Sequence, residues 1–293
     1  MKKLKLFACM CALMMGLSLT SCLSSGETTS YDGALTVYVY ENIYSGKPYF
    51  MDALGNRYIP TAASWSNVNA QLSSAGVEVT DYKMATIWFN YVVEEEDAST
   101  PSTASETATG QQYDIELVGF TTLFDTAPVM YVQSAENLKD YETAPVLRLG
   151  DYVSSSALAI TPSQYDEKTI ATTTGFFLAN DKDKLNMHQL RVIYVKDELT
   201  ADSKELVLYV CHNRGTDEET EAYYGSAYCF DVQYVLNEFR TVTGKDPEKI
   251  ILKAKEISLT TPNPTIDLPE NYTDHEIEYK TLEELYPSAF ENK

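Results

Sequence analysis

The sequence is poor in basic residues and in histidine. Only 22 lysines and arginines stand against 43 aspartates and glutamates, so the formal net charge of the 293-residue chain is −21. Such a charge repels phosphate backbones and anionic lipid surfaces, which argues against nucleic acid as a partner and against membrane binding through a basic patch. The three histidines, His188, His212 and His275, lie in no motif of a nucleophile elbow, a zinc protease or a kinase. We therefore expect a protein that is not an enzyme and that has no cofactor and no metal site.

The apolar run at the N-terminus is too short for a membrane span. It extends from Leu6 to Leu19, whereas a bilayer-spanning helix needs about 20 apolar residues. The basic segment MKKLK precedes it and small residues follow it, which is the layout of a secretory signal peptide. The stretch Leu19-Thr20-Ser21-Cys22 is similar to the lipobox of bacterial lipoproteins, and an ordinary secretory signal that contains a cysteine is the alternative. We predict a signal peptide over residues 1–21, a lipidated Cys22 that anchors the protein to the bacterial outer membrane, and a flexible tether over 22–33.

Cysteine is scarce as well, and its spacing matches no zinc signature. Cys9 and Cys11 lie in the predicted signal peptide, so Cys211 and Cys229 are the thiols that remain beside Cys22. If segments 206–212 and 226–232 form one hairpin, Cys211 lies opposite Cys229, and a disulfide between them is a candidate in an exported protein. Two free, buried thiols are the alternative.

Alternating apolar and polar residues predict an all-β protein, mainly antiparallel, with a few short helices. In LTVYVYENI, for example, Leu35, Val37 and Val39 share one face of a strand. Residues 34–124 contain about five such segments, and SNVNAQLSSAG, with Ser66 as its N-cap, predicts a short helix between the third and fourth. Five strands with a helix in the middle predict a small OB-type β-barrel over residues 34–128.

The second half alternates again and predicts an antiparallel β-sandwich over residues 145–260. Its strand segments are QLRVIYV, ELVLYVC, SAYCFDV and KIILKAKEISL. Apolar residues of VQYVLNEF at helical spacing predict one short helix before Gly244. The proline-rich remainder, 261–293, is expected to be an extended tail with a helical turn that Thr281 and Glu284 cap.

Taken together, these segments resemble the NigD-like lipoproteins. The resemblance rests on the lipobox, on PYFMDALGNRYIP and ATIWFNYV in the first half, and on LRVIYV, ELVLYVCHNRGTDEE and SAYCFDV in the second. It implies an N-terminal OB-type domain, a C-terminal β-sandwich and an association with bacteriocin gene clusters. Cys22 is the only functional residue that it carries over. Separately, Asp125-Thr126-Ala127 resembles a short O-glycosylation acceptor of envelope proteins, which makes Thr126 a candidate glycosylation site.

These features predict a lipid-anchored bacterial envelope protein that acts as a non-enzymatic binding or accessory module. Its contact with the membrane is expected to be the lipidated N-terminus, and its partner a protein or a glycan. A surface glycan-binding lipoprotein of a sugar-uptake system is an alternative, which clustered exposed aromatic side chains would favour. A hydrolase is a second alternative, and it would need two carboxylates about 5 to 10 Å apart in a cleft.

Overall fold

The computed structural model describes residues 31–42, 44, 46–92, 110–151, 159–181 and 183–290. The predicted signal peptide, Cys22 and most of the predicted tether lie outside these residues. The chain divides into two compact units, one up to Asp125 and one from Thr126 onward. In the described part of the chain, no helix is long and apolar enough to cross a membrane.

The first unit is a five-stranded closed barrel, as predicted. Its strands follow the order β3-β2-β1-β4-β5, and β3 also pairs in parallel with β5, so that the sheet closes on itself. The other neighbouring strands are antiparallel. The order, the parallel closure and a helix between β3 and β4 together are the topology of an OB-type barrel. The strands are β1 (Gly33–Asn42), β2 (Lys47–Met51), β3 (Arg57–Pro60), β4 (Met84–Tyr91) and β5 (Gln112–Thr126).

Helix α1 (Ala62–Ser74) packs its apolar face on the barrel core. Its buried residues are Val68 and Leu72, which are four apart and therefore lie on one helical face. The N-cap is Thr61, whose hydroxyl accepts a hydrogen bond from the backbone N–H of Ser64, so the prediction of Ser66 as N-cap is wrong. The helix begins earlier because Thr61 directly follows β3 and can cap the first turn at once. Apolar side chains of the strands fill the core beneath α1, among them Val37, Phe50, Tyr58, Ile87, Phe89 and Ile115.

The second unit contains a five-stranded sheet of mixed direction, not an antiparallel one. Its order is β15-β13-β11-β10-β6; β6 runs parallel to β10, and β11 runs parallel to β13. Strands β12, β9 and β8 are neighbours in that order and pair antiparallel, and β7 pairs with β14 in parallel. The strands are β6 (Val129–Val132), β7 (Val146–Leu147), β8 (Ser163–Asp166), β9 (Thr169–Leu178), β10 (Gln189–Val195), β11 (Glu205–Asn213), β12 (Ala222–Asp231), β13 (Lys249–Ala254), β14 (Glu256–Ile257) and β15 (Thr273–Glu278).

Two short helices of this unit confirm their sequence predictions. Helix α2 (Gln233–Thr243) buries Val235, Leu236 and Phe239 and ends at Gly244, whose φ of 72° is favourable for glycine. Helix α3 (Leu282–Leu285) is a single turn that begins with the predicted capping box of Thr281 and Glu284. The protein is therefore all-β with few helices, as its sequence pattern indicated.

The hairpin that would have placed Cys211 opposite Cys229 does not form. Strand β11, which carries Cys211, has β10 on one side and β13 on the other, so neither of its edges is open to β12. Cys229 lies on β12 opposite Ala171 of β9. Neither cysteine forms a disulfide, and both are buried. The predicted register between them is wrong because the chain after β11 crosses to another sheet.

Candidate functional site

A groove of about 570 Å³ lies on the surface of the barrel, where the end of β1 and strands β2 and β3 meet the beginning of β5. All of its lining residues belong to the first unit. They combine aromatic, charged and amide side chains, which is the mixture expected of a site for a small polar ligand. The lining residues are Glu41, Asn42, Tyr44, Lys47, Pro48, Tyr49, Arg57, Ile59, Pro60 and Gln112.

Tyrosines supply the flat surfaces of the groove. Tyr40 of β1 and Tyr49 of β2 are directly paired across the two strands, and their rings stack with centroids 5.2 Å apart and planes inclined by 13°. Tyr44, in the loop between these strands, is 95% exposed. An aromatic ring that lies at a surface offers an apolar face and a polar hydroxyl to a ligand. The groove therefore offers exposed ring surface that is not used to fill the core.

Arg57 brings a cation to these rings. Its guanidinium carbon lies 5.7 Å from the ring centroid of Tyr49, which is a cation–π distance. Its Nε N–H is buried and has no hydrogen-bond acceptor, and no carboxylate of the described residues forms an ion pair with it. Lys47 lies nearby on β2, and Glu41 is the only carboxylate among the described residues that line the groove. The site is thus locally cationic in a strongly acidic chain.

The turn between β2 and β3 holds this arrangement in place. The carboxylate of Asp52 accepts hydrogen bonds from the backbone N–H groups of Leu54 and Asn56, both at 2.9 Å, and from the hydroxyl of Tyr58 at 3.0 Å. Gly55 has the positive φ, 86°, that the sequence pattern predicted for this loop. Burial, with the nearby Asp52 carboxylate, raises the pKa of Tyr58, so its hydroxyl stays protonated as a donor. The turn fixes the hairpin from which Tyr49 and Arg57 project.

The second unit contains a buried chain of two histidines and an aspartate. Nε2 of His188 lies 3.0 Å from Oδ2 of Asp217, and Nδ1 of His188 lies 2.8 Å from Nε2 of His212. Nδ1 of His212 lies 3.1 Å from the carbonyl oxygen of Pro145. All three side chains are buried. The last member of this hydrogen-bonded series, His212, contacts a backbone carbonyl and not a hydroxyl or thiol. The three residues therefore lack the nucleophile that a catalytic triad would present.

The remaining predicted site residues are not brought together. Thr126 is exposed at the end of β5, as a glycosylation acceptor must be, and its hydroxyl oxygen lies 3.9 Å from the sulfur of Cys229. Its glycosylation stays a prediction, and so does the lipidation of Cys22, which lies outside the described residues. Among the described residues, no group of three or more His, Cys, Asp or Glu side chains could hold a metal ion.

Sequence reasoning missed the groove, although part of its signal is visible. The alternation in LTVYVYEN places Tyr38 and Tyr40 on the face opposite Val37. The alternation does not show whether a second layer of the structure covers that face. It also does not predict that Arg57 packs over Tyr49.

No protein-family model matches the sequence, and no curated protein matches it. Among solved structures, a candidate lipoprotein of Bacteroides fragilis is similar with 22% sequence identity and a TM-score of 0.58, over 85% of this chain and 98% of that one. A protein of unknown function, DUF1344, from Bacteroides vulgatus has 9% identity and a TM-score of 0.46, over 84% and 90% of the two chains. An uncharacterised protein of Parabacteroides merdae has 8% identity and a TM-score of 0.40, over 84% and 96%. The likeness to the Bacteroides fragilis protein is one of fold.

Proposed function

We propose that this protein is a lipid-anchored, NigD-like protein of the bacterial outer membrane that binds an oligosaccharide in the groove of its barrel and catalyses no reaction. The groove carries the proposal, because Tyr44 and Tyr49, which line it, provide ring surface that the neighbouring Tyr40 extends, and its amide and charged side chains provide hydrogen bonds. OB-type barrels use this face of strands 2 and 3 for oligosaccharides as well as oligonucleotides. The net charge of −21 opposes the latter.

The anchor part of the proposal rests on the lipobox and on the fold. A protein of the same fold from Bacteroides fragilis is described as a candidate lipoprotein. Acyl chains on Cys22 would hold this acidic protein at a membrane without any basic patch. The resemblance to NigD-like lipoproteins extends the proposal to a role beside bacteriocin systems.

Metabolic labelling with a fatty acid tests the anchor. The wild-type protein, expressed in a bacterium that processes lipoproteins, should incorporate the label, and Cys22→Ala should not. Cys211→Ala is the matched control and should keep the label, because its thiol is buried in the second unit. Label retained in Cys22→Ala would contradict the anchor.

Binding of oligosaccharides by the mature protein tests the groove. Calorimetry against a panel of neutral and acidic oligosaccharides should find ligands whose affinity falls in Tyr49→Ala. Tyr234→Ala is the control, because Tyr234 is also an exposed tyrosine, 52% accessible, that stacks on another tyrosine, Tyr131, in the second unit. Equal losses in both variants, or no binding by the wild type, would contradict a saccharide site in the groove.

A protein partner and a hydrolase are the competing functions. A carboxylate-based hydrolase needs a pair of acids, whereas Glu41 is the single acid among the described residues of the groove. Reducing ends released from a bound oligosaccharide by the wild type, and lost in Glu41→Gln, would favour the hydrolase.

A further inference from the structure

The charge of the groove is opposite to that of the protein as a whole. In the sequence, acidic residues outnumber basic ones 43 to 22. Among the lining residues, two are basic, Lys47 and Arg57, and Glu41 is acidic. We propose that the groove recognises a carboxylate-bearing saccharide, and that Arg57 is the residue that binds the carboxylate. This inference rests on the proposed function and adds the chemical class of the ligand.

Arg57 has N–H donors from which no described residue accepts a hydrogen bond. A guanidinium offers five N–H donors in a planar fork that matches the two oxygens of a carboxylate. In this groove the guanidinium packs over Tyr49 and forms no ion pair with a described residue, and its Nε N–H is buried without an acceptor. A buried donor without a partner costs free energy, about 1 to 3 kcal/mol in general. The terminal N–H groups of the guanidinium form no hydrogen bond with a described residue either, so an acidic group that enters the groove would accept from them.

The surroundings of Arg57 fit a sugar that carries the acid. Tyr49 lies against the guanidinium on one side, and Tyr40 continues the aromatic surface beyond it. Gln112 is the register partner of Arg57 across the parallel pair of β3 and β5, so an amide lies beside the cation. Ring surface, an amide and a cation within one groove match a sugar ring with hydroxyls and one carboxylate. An acidic peptide shares only the carboxylate with that pattern, and it is therefore the comparison ligand.

The experiment compares three probes by calorimetry: tetragalacturonic acid, its fully methyl-esterified form, and an oligo-aspartate peptide of equal charge. We expect the free acid to bind the wild type at least about tenfold more tightly than the ester, since a charge-assisted hydrogen bond is roughly twice as strong as a neutral one. Arg57→Gln should abolish the preference for the free acid, so that this variant binds acid and ester with the same affinity. Arg57→Lys should give an intermediate affinity, because lysine keeps the charge and loses the fork.

Arg191→Gln is the matched control. Arg191 also packs over a tyrosine, Tyr141, at 5.4 Å, but it lies in the second unit. It should leave all three affinities unchanged. Binding of the acid, and not of the ester, should weaken as NaCl rises from about 50 to about 500 mM, because salt screens the ion pair.

The outcomes separate this inference from the proposed function. If the wild type binds acid and ester equally and Tyr49→Ala abolishes both, the saccharide site stands and the carboxylate preference is wrong. If the oligo-aspartate peptide binds as tightly as tetragalacturonic acid, the saccharide class is wrong. If neither tetragalacturonic acid nor its ester binds, the inference is overturned, and the proposed function then depends on the neutral oligosaccharides of the panel.

Discussion

Nδ1 of His188 lies 2.8 Å from Nε2 of His212, within a buried chain of contacts that begins at the carboxylate of Asp217 and ends at the carbonyl oxygen of Pro145. The two rings stack on Phe176, with centroids 4.8 and 4.4 Å from it. Both ends of the chain accept hydrogen bonds, so its three contacts need three N–H donors, whereas two neutral imidazoles supply two. The contact between the two rings therefore has no proton while both imidazoles are neutral, and burial, which lowers the pKa of both histidines, favours that neutral form.

The protonation of His212 makes the stability of the protein sensitive to acid. Burial, with the neighbouring His188, lowers the pKa of His212 to about 3. The unfolded chain takes up a proton on this ring below pH about 6.5, and the folded protein does not until pH about 3. The free energy of unfolding should therefore fall as the pH decreases through this window, by about 1.4 kcal/mol per pH unit from this residue. Urea unfolding at a series of pH values measures it.

A glutamine at position 212 isolates this contribution. Its amide can donate a hydrogen bond to the carbonyl oxygen of Pro145 but does not titrate, so His212→Gln should show a shallower loss of stability in acid. His275→Gln is the control, because it removes a histidine that contacts Glu256 outside the buried chain. An acid slope that is the same in His212→Gln as in the wild type would contradict the assignment.

The barrel was predictable from the sequence because its contacts are ordered along the chain. Its strands alternate clearly, β1 pairs with β2 and β2 with β3, and the helix lies at the one place that an OB-type barrel requires. The second unit was predicted less well, because its parallel pairs join distant segments: Val129 of β6 pairs with Val192, and Leu206 of β11 pairs with Ile250. No local signal distinguishes such a pairing from a hairpin between neighbouring strands.

The groove, too, could be predicted from the sequence only in part. The alternation of β1 predicts that Tyr40 faces away from the core, and the residues around Gly55 predict a turn there. That Arg57 has no carboxylate partner among the described residues does not follow from either, because the sequence has 43 acidic residues and only the fold decides which of them come near.

The two thiols of the second unit should be unreactive in the folded protein. Cys211 and Cys229 are buried on strands of different pairing groups, and burial raises the pKa of Cys211, which disfavours the reactive thiolate. In a Cys22→Ala protein prepared without reductant, a thiol reagent should label neither cysteine before unfolding and both in denaturant. If mass analysis of the denatured, unreduced protein finds the two sulfurs linked and unlabelled, the free-thiol arrangement is wrong.

Gly175 of β9 lies where β12 leaves no room for a side chain. It pairs with Gly225 across the two strands, and a Cβ built on it would lie 1.9 Å from the carbonyl oxygen of Tyr224. Gly175→Ala should therefore force the strands apart and lower the free energy of unfolding by about 2 kcal/mol or more. Gly76→Ala is the control, because a Cβ there meets nothing within 4 Å and only its φ of 71° is unfavourable, which costs about 1 kcal/mol. Equal losses in the two variants would contradict the steric explanation.

Glu142 and Lys255 form an ion pair in the interior, and we expect the loss of one partner to lower the free energy of unfolding more than the loss of both charges. Oε2 of Glu142 lies 3.2 Å from Nζ of Lys255 and accepts a hydrogen bond of 2.9 Å from the hydroxyl of Tyr272, while its other oxygen is buried without a partner. Lys255→Met would leave a nearly uncompensated carboxylate in the interior, and removing one partner of a buried pair costs about 3 to 5 kcal/mol. Glu142→Gln combined with Lys255→Met removes both charges and keeps an acceptor for Tyr272, so the double variant should be more stable than Lys255→Met alone.

Lys253 provides the control for this comparison. It pairs with Asp274 at 2.7 Å, but the side chain of Asp274 is 48% exposed, and exposed pairs contribute about 0 to 1 kcal/mol. Lys253→Met should accordingly cost less than Lys255→Met when both are measured by urea unfolding at neutral pH. A double variant that is no more stable than Lys255→Met would show that the loss comes from the packing of the lysine side chain on Tyr272, whose ring centroid lies 5.1 Å from Nζ. The unpaired charge of Glu142 would then contribute little to the loss. If that buried charge destabilised Lys255→Met by several kcal/mol, replacing Glu142 with glutamine would restore that free energy of unfolding.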